Sequence, residues 1–197
     1  MQHSDFAPIA TAPITANDAI AGPRPVVVTL IGVPGAGKRS VAQALYEELG
    51  LRRIDREAIR DALFPYCTYS FAEKRAAFRG VLLALEINCL LGESSVIDGM
   101  TFARRPDLER VDQVIRQYGF LSVPVFLDCS TEVASARIAQ EVALQPHLAR
   151  MRRPAMVAEA RARFDTPPPT AVRVNADLAL DDVGRTVVAA VAKLRDG

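Results

Sequence analysis

The sequence predicts an α/β protein whose parallel sheet is covered by helices on both faces. Three observations predict it. Short β-branched runs alternate with longer stretches of helical period, the first run ends in a glycine-rich turn that opens a helix, and 197 residues, half of them apolar, suffice for one domain with a sizeable core.

Val26–Ile31 is a continuous apolar run, as a strand buried on both faces requires. Val41, Ala44, Leu45 and Leu49 then fall at helical spacing, so a helix is expected from Ser40 to Leu49, stopped by Gly50. Leu51–Ile54 reads as a second strand and Glu57–Leu63 as a short helix ending before Pro65. Ser70 and Glu73 have capping-box spacing for a long helix, Phe71–Leu91, which Gly92 ends. Ser95–Ile97 is the third strand and leads into Asp98. Pro106 suits the first turn of a helix running to Tyr118, with Gly119 as its stop. Leu121–Leu127, helix Thr131–Leu144, strand Ala171–Val174 and helix Asp181–Leu194 complete the alternation, with a basic segment before the last strand. In such sheets ligands sit at the carboxyl ends of the strands. Segments 32–40, 55–60 and 98–105 each follow a strand, and so are expected on one rim.

A net charge of +1 gives no basic excess for a membrane surface or a long nucleic acid; a strand end as substrate stays compatible. Cys67, Cys89 and Cys129 have neither CxxC nor Cys/His spacing, which points to reduced, buried thiols and a cytoplasmic setting. Residues 1–25, with four prolines and no cation before Arg24, read as a flexible leader without the charged start and apolar stretch of a secretory signal. No run approaches the length of a membrane span.

The chemistry begins at Gly32-Val33-Pro34-Gly35-Ala36-Gly37-Lys38, which fits the G-x-x-x-x-G-K phosphate loop with a strand before it and a helix after it. The glycines let consecutive amides turn inward onto phosphate oxygens, the helix adds its positive end, and Lys38 adds a full charge. Gly32, Pro34, Gly35, Ala36, Gly37, Lys38, Arg39 and Ser40 are therefore the expected ATP-binding residues. The hydroxyl that usually follows the lysine and holds Mg2+ is replaced by Arg39, and a hydroxyl returns one place later at Ser40.

Asp55, Glu57 and Arg60 follow the second strand. A phosphoryl transfer needs a carboxylate to orient or deprotonate an attacking hydroxyl and a cation to hold an anionic acceptor, and these residues offer both. Asp98, in Val96-Ile97-Asp98-Gly99, is placed to hold a metal-bound water or orient the acceptor, so the expected metal-side residues are Ser40 and Asp98.

The phosphate loop, D-R-E-A-I-R at 55–60, V-I-D-G at 96–99 and F-D-T-P at 164–167, in this order, resemble the P-loop kinases of the AAA_33 group, which include polynucleotide, zeta-toxin-type and adenylylsulfate kinases. The resemblance implies a three-layer fold with strand order 2-3-1-4-5, a kinase domain over 26–197, a helical lid at roughly 138–166, and ATP with Mg2+. It also implies that the acid three places before the motif arginine, Glu57 here, assists the acceptor hydroxyl and that Arg60 binds the acceptor. Asp55 fills the other acidic position, and the choice between the two acids stays open.

The basic stretch carrying Arg137, Arg150, Arg152, Arg153, Arg161 and Arg163 occupies the place of the lid, and Arg137 and Arg153 are the expected phosphate contacts within it. The acceptor is not readable; Phe64, Tyr66, Tyr69 and Phe102 are expected to shape its pocket. The predicted activity is transfer of the ATP γ-phosphoryl group to a hydroxyl of a small-molecule or nucleotide-type acceptor. A nucleoside monophosphate kinase, which the displaced hydroxyl at Ser40 favours, and a non-catalytic ATP-binding regulator are the alternatives.

Overall fold

A computed structural model describes residues 23–146 and 152–197. Most of the expected leader, Arg150 and the middle of the expected lid therefore lie outside the described residues. Five strands form one parallel sheet in the order β2-β3-β1-β4-β5: β1 Val26–Ile31, β2 Arg52–Asp55, β3 Ser95–Asp98, β4 Leu121–Asp128 and β5 Val172–Asn175. The helices are α1 Lys38–Leu49, α2 Arg56–Leu63, α3 Phe71–Leu90, α4 Arg105–Gln117, α5 Thr131–Leu144, α6 Ala155–Arg161 and α7 Leu180–Asp196.

Strand β1 explains the layering. Every one of its residues is buried, and period-two alternation sends neighbours to opposite faces. Val26, Val28 and Leu30 join a core with Val41 and Leu45 of α1 and Val183, Val187 and Val191 of α7. Val27 and Ile31 join a second core with Phe78, Val81 and Leu85 of α3 and Val111 and Ile115 of α4. Burial of aliphatic side chains of this size contributes roughly 1.5–3 kcal/mol apiece, so the central strand anchors both layers.

Local signals set the element ends. The Ser70–Glu73 capping box is formed in full. Asp55 caps α2 and Ser130 caps α5, each accepting bonds from first-turn amides. Helix α1 begins at Lys38, two residues earlier than its apolar spacing suggests, because the phosphate loop itself supplies the first turn. The basic segment contains a helix that its arginine-rich composition concealed, α6, held by buried Val157 and Ala160. No described helix is long and apolar enough to cross a membrane.

Candidate functional site

The loop between β1 and α1 turns on two left-handed glycines, Gly35 at φ 82° and Gly37 at φ 93°. A Cβ on Gly35 would overlap the Ala134 carbonyl oxygen of α5, so this corner needs glycine for both its dihedral and its packing. Gly37 caps α1 with no side-chain hydrogen bond, which leaves first-turn amides free of side-chain partners and aimed out of the helix end. The loop is tied at its base, where the Gly32 amide donates to the Thr101 carbonyl at 3.1 Å.

Lys38 folds over the loop, and its Nζ donates to the Gly32 and Val33 carbonyls at 2.8 Å each. Burial pushes its ammonium down from 10.5 to about 8, against the opposing pull of Asp98, while the charge of Arg152 pushes it further down. Asp98 is 3% exposed. Its Oδ1 accepts from the Gly99 amide at 2.7 Å, and its Oδ2 accepts from Arg53 Nη2 at 3.0 Å.

The neighbouring rim carries the acids of the second motif. Asp55 Oδ1 accepts from the Glu57 and Ala58 amides at 2.8 and 3.3 Å, and Oδ2 lies 4.0 Å from Arg39 Nη2. Glu57 is held in a two-pronged pair by Arg60, at 2.9 and 2.5 Å. Arg60 is buried, reaches Asp61 at 3.2 Å and stacks on the Tyr69 ring at 4.4 Å. Tyr69 and Phe102 hold left-handed backbones, φ 58° and 48°, which non-glycine residues adopt mainly where surrounding packing enforces them, often at functional sites. Asp165 of the F-D-T-P segment accepts from the Arg105 amide at 2.8 Å, and its own amide donates to the Ala103 carbonyl at 2.8 Å. All four sequence motifs thus meet at the carboxyl ends of the strands.

The family model described as an AAA domain matches residues 27–167, more than half of the chain. The chain belongs to the AAA_33 family. Three solved structures place the fold. A kinase candidate from Chloroflexus aurantiacus superposes with a TM-score of 0.66 at 20% identity, covering 87% of this chain and 98% of its own. The APS kinase CysC of Mycobacterium tuberculosis, solved with AMPPNP and APS, gives 0.63 at 19%, covering 86% and 98%. A gluconokinase from Sinorhizobium meliloti gives 0.63 at 18%, covering 88% and 95%. None of the curated proteins compared with the chain gives a significant match. The five-stranded order 2-3-1-4-5 is the P-loop kinase fold that the motifs implied.

In this AAA_33 chain the loop fits a polyphosphate: amides, helix end and ammonium converge on one spot. The donor set does not fit a directly bound Mg2+ in the way the sequence suggested. Ser40 is exposed on the first turn of α1, in a cleft of about 800 Å³ shared with Arg39, Arg53 and Asp55. Asp98 is buried, and both its oxygens already accept hydrogen bonds, so it acts on Lys38 through space. No group of three or more acids, histidines or cysteines suited to a metal occurs among the described residues.

The lid arginines also have other partners. Arg137 donates to the Ala176 carbonyl at 2.8 Å, the Leu178 carbonyl at 2.6 Å and the Gly35 carbonyl at 3.5 Å, so it braces the phosphate loop from behind. Arg153 pairs with Glu159 at 2.7 Å. It is the adjacent Arg152, bonded to Glu141 at 2.6 Å, whose charge reaches Lys38. Arg60, expected to bind the acceptor, is taken up by Glu57, Asp61 and Tyr69. Tyr66, expected in the acceptor pocket, is 94% exposed. Sequence reasoning passed over Arg56, which lies between the two motif acids; its position within D-R-E-A-I-R was the available signal.

Proposed function

We propose that the chain is an ATP-dependent phosphotransferase that moves the γ-phosphoryl group to a hydroxyl of a small acceptor. The observation that carries this reading is the shared rim: the Lys38 loop follows β1 and the Asp55 carboxylate ends β2, with β3 and its terminal Asp98 between them in one parallel sheet. Loop amides and Lys38 hold the β- and γ-phosphates, and Arg152 adds positive potential near the ammonium. Of the two acids, Asp55 is the better base. Its Oδ1 is fixed by two amides while Oδ2 has only Arg39 at 4.0 Å, whereas both oxygens of Glu57 are taken by Arg60. Asp55 Oδ2 accepts the hydroxyl proton as the acceptor oxygen bonds to the γ-phosphorus and the β–γ bridge bond breaks. Mg2+, entering with the nucleotide, would supply charge neutralisation at the phosphates, and the donor set described above assigns it no protein ligand.

The test is transfer from labelled ATP to metabolites of a cell extract, comparing the parent with Lys38→Ala. Loss of all label transfer in the variant is expected, a decrease of about 10²–10³-fold or more for a lost preorganised donor. Equal labelling by the two proteins would reject the mechanism. The displaced hydroxyl at Ser40 keeps a nucleoside monophosphate kinase as a second reading, and turnover confined to a nucleoside monophosphate panel would favour it. The Arg39–Asp55 contact favours a non-catalytic ATP binder, which tight ATP binding with no turnover on any acceptor would support.

A further inference from the structure

Arg56 opens α2 directly after Asp55, and its backbone amide and Cβ are pressed against Gly99: a Cβ there would stand 3.2 Å from each. Its side chain is half-buried. Among the described residues it makes no hydrogen bond or ion pair, and its Nε is buried without a partner. Burial pushes the guanidinium below its usual value, with Glu57 and Asp107 pulling up and Arg60 pushing down. Glu57 is already committed to Arg60, and neither acid comes within ion-pair distance of Arg56. Arg53 and Arg60 are different: each also has a buried Nε without a partner, yet their Nη groups are paired with acids.

A half-buried cation without a counter-charge costs free energy that a surface arginine would avoid by turning into water. Such a group in a cleft is neutralised when an oxyanion enters, and the planar guanidinium fork suits phosphate, sulfate and carboxylate. The nucleotide phosphates belong to another part of the rim: Lys38 opens α1 after β1, and across β3 from it, at the end of β2, Arg56 opens α2. The strained Tyr69 stacks on Arg60 beside it, fixing the wall of this part of the rim.

We propose that Arg56 grips an oxyanion carried by the acceptor, apart from the hydroxyl that is phosphorylated, so that the acceptor is an anionic metabolite and not an uncharged polyol. The proposal rests on the phosphotransferase reading above. Its test uses the full chain, first titrated with AMPPNP and then, with AMPPNP saturating, with sulfate, both by calorimetry. One sulfate is expected to bind the parent, with Kd at least tenfold weaker in Arg56→Gln and intermediate in Arg56→Lys. Equal sulfate binding by parent and Arg56→Gln, or none to the AMPPNP-loaded parent, overturns the proposal. Failure at the first titration instead overturns the nucleotide reading, and this inference with it, so the two failures are told apart. Competition against bound sulfate by gluconate beside sorbitol, and by glucose 6-phosphate beside glucose, separates a carboxylate from a phosphate. Displacement by the uncharged members as strong as by the charged ones counts against it. Because Arg56 has no partner to lose, Arg56→Gln is expected to melt no lower than the parent; a fall of several degrees in Tm would mark a structural tie.

Discussion

The two halves of the rim, proposed as a nucleotide side and an acceptor side, are built by different means. On the nucleotide side the backbone does the holding: two left-handed glycines, an uncapped helix start and a base tied to Thr101, with Lys38, the first residue of α1, as the one full charge among residues 32–38. On the acceptor side, charged side chains hold one another: Arg60 with Glu57, Arg53 with Asp98, Arg39 near Asp55. A backbone cradle is set by chain conformation and tolerates a changed neighbour. A network of charges depends more on its members, because deleting Arg53 or Glu57 leaves buried Asp98 or Arg60 without its partner.

The largest effect should therefore come from breaking a pair on the acceptor side. Arg53→Met strands Asp98, 3% exposed, with only the Gly99 amide. A loss of roughly 3–5 kcal/mol in denaturant unfolding is expected, toward the lower end because Arg53 is itself partly solvated. Adding Asp98→Leu to that variant should recover much of it, and failure of the double variant to do so would show that the pair is not the source.

On the loop side the expected loss is smaller and better localised. Gly35→Ala forces a positive φ on alanine and drives its methyl into the Ala134 carbonyl. Roughly 1–3 kcal/mol of stability should go, together with AMPPNP binding. Gly50→Ala is the control: Gly50 is left-handed too, at φ 68°, but a methyl group there would meet nothing within 4 Å, so about 1 kcal/mol is lost and nucleotide binding is kept. Equal loss of AMPPNP binding in both would mean that general destabilisation, not the packing of the loop onto α5, is the cause.

The same contrast explains what was legible in the sequence. The sheet and the loop follow from features contiguous along the chain, the six-residue apolar β1, the glycine spacing and the caps at Ser70 and Gly50, whereas the strand order came from the resemblance to P-loop kinases. Helix boundaries moved by a residue or two, as where Lys38 and not Ser40 opens α1, while Pro106 lies in the first turn of α4 as expected. Side-chain partnerships were less legible, because they are chosen only after distant segments meet. The i,i+3 spacing of Glu57 and Arg60 was local, but nothing local told Arg60 to stack on Tyr69, or made Arg152 and not Arg153 the charge that Lys38 feels. Motif position marked Arg60 as an acceptor ligand, whereas geometry leaves the neighbouring Arg56, among the described residues, with a buried Nε and no side-chain partner.

The most gradual effect is a pH dependence, and it sharpens the comparison because stability and binding should move in opposite directions. Lys38 titrates near 8 in the folded chain and at 10.5 when unfolded, so between these values the unfolded chain holds more protons. Stability then rises with pH through this window, and the contribution is lost as pH falls toward 8. Nucleotide binding needs the ammonium, so AMPPNP affinity falls as pH rises above about 8, approaching tenfold per unit at most when the bound lysine stays protonated. Calorimetry in buffers of different ionisation enthalpy should detect proton uptake on binding near pH 8, and Lys38→Met should flatten both trends. A binding curve flat to about pH 10 in the parent would place the recognition in the amides alone and remove the lysine's charge from the account of the loop.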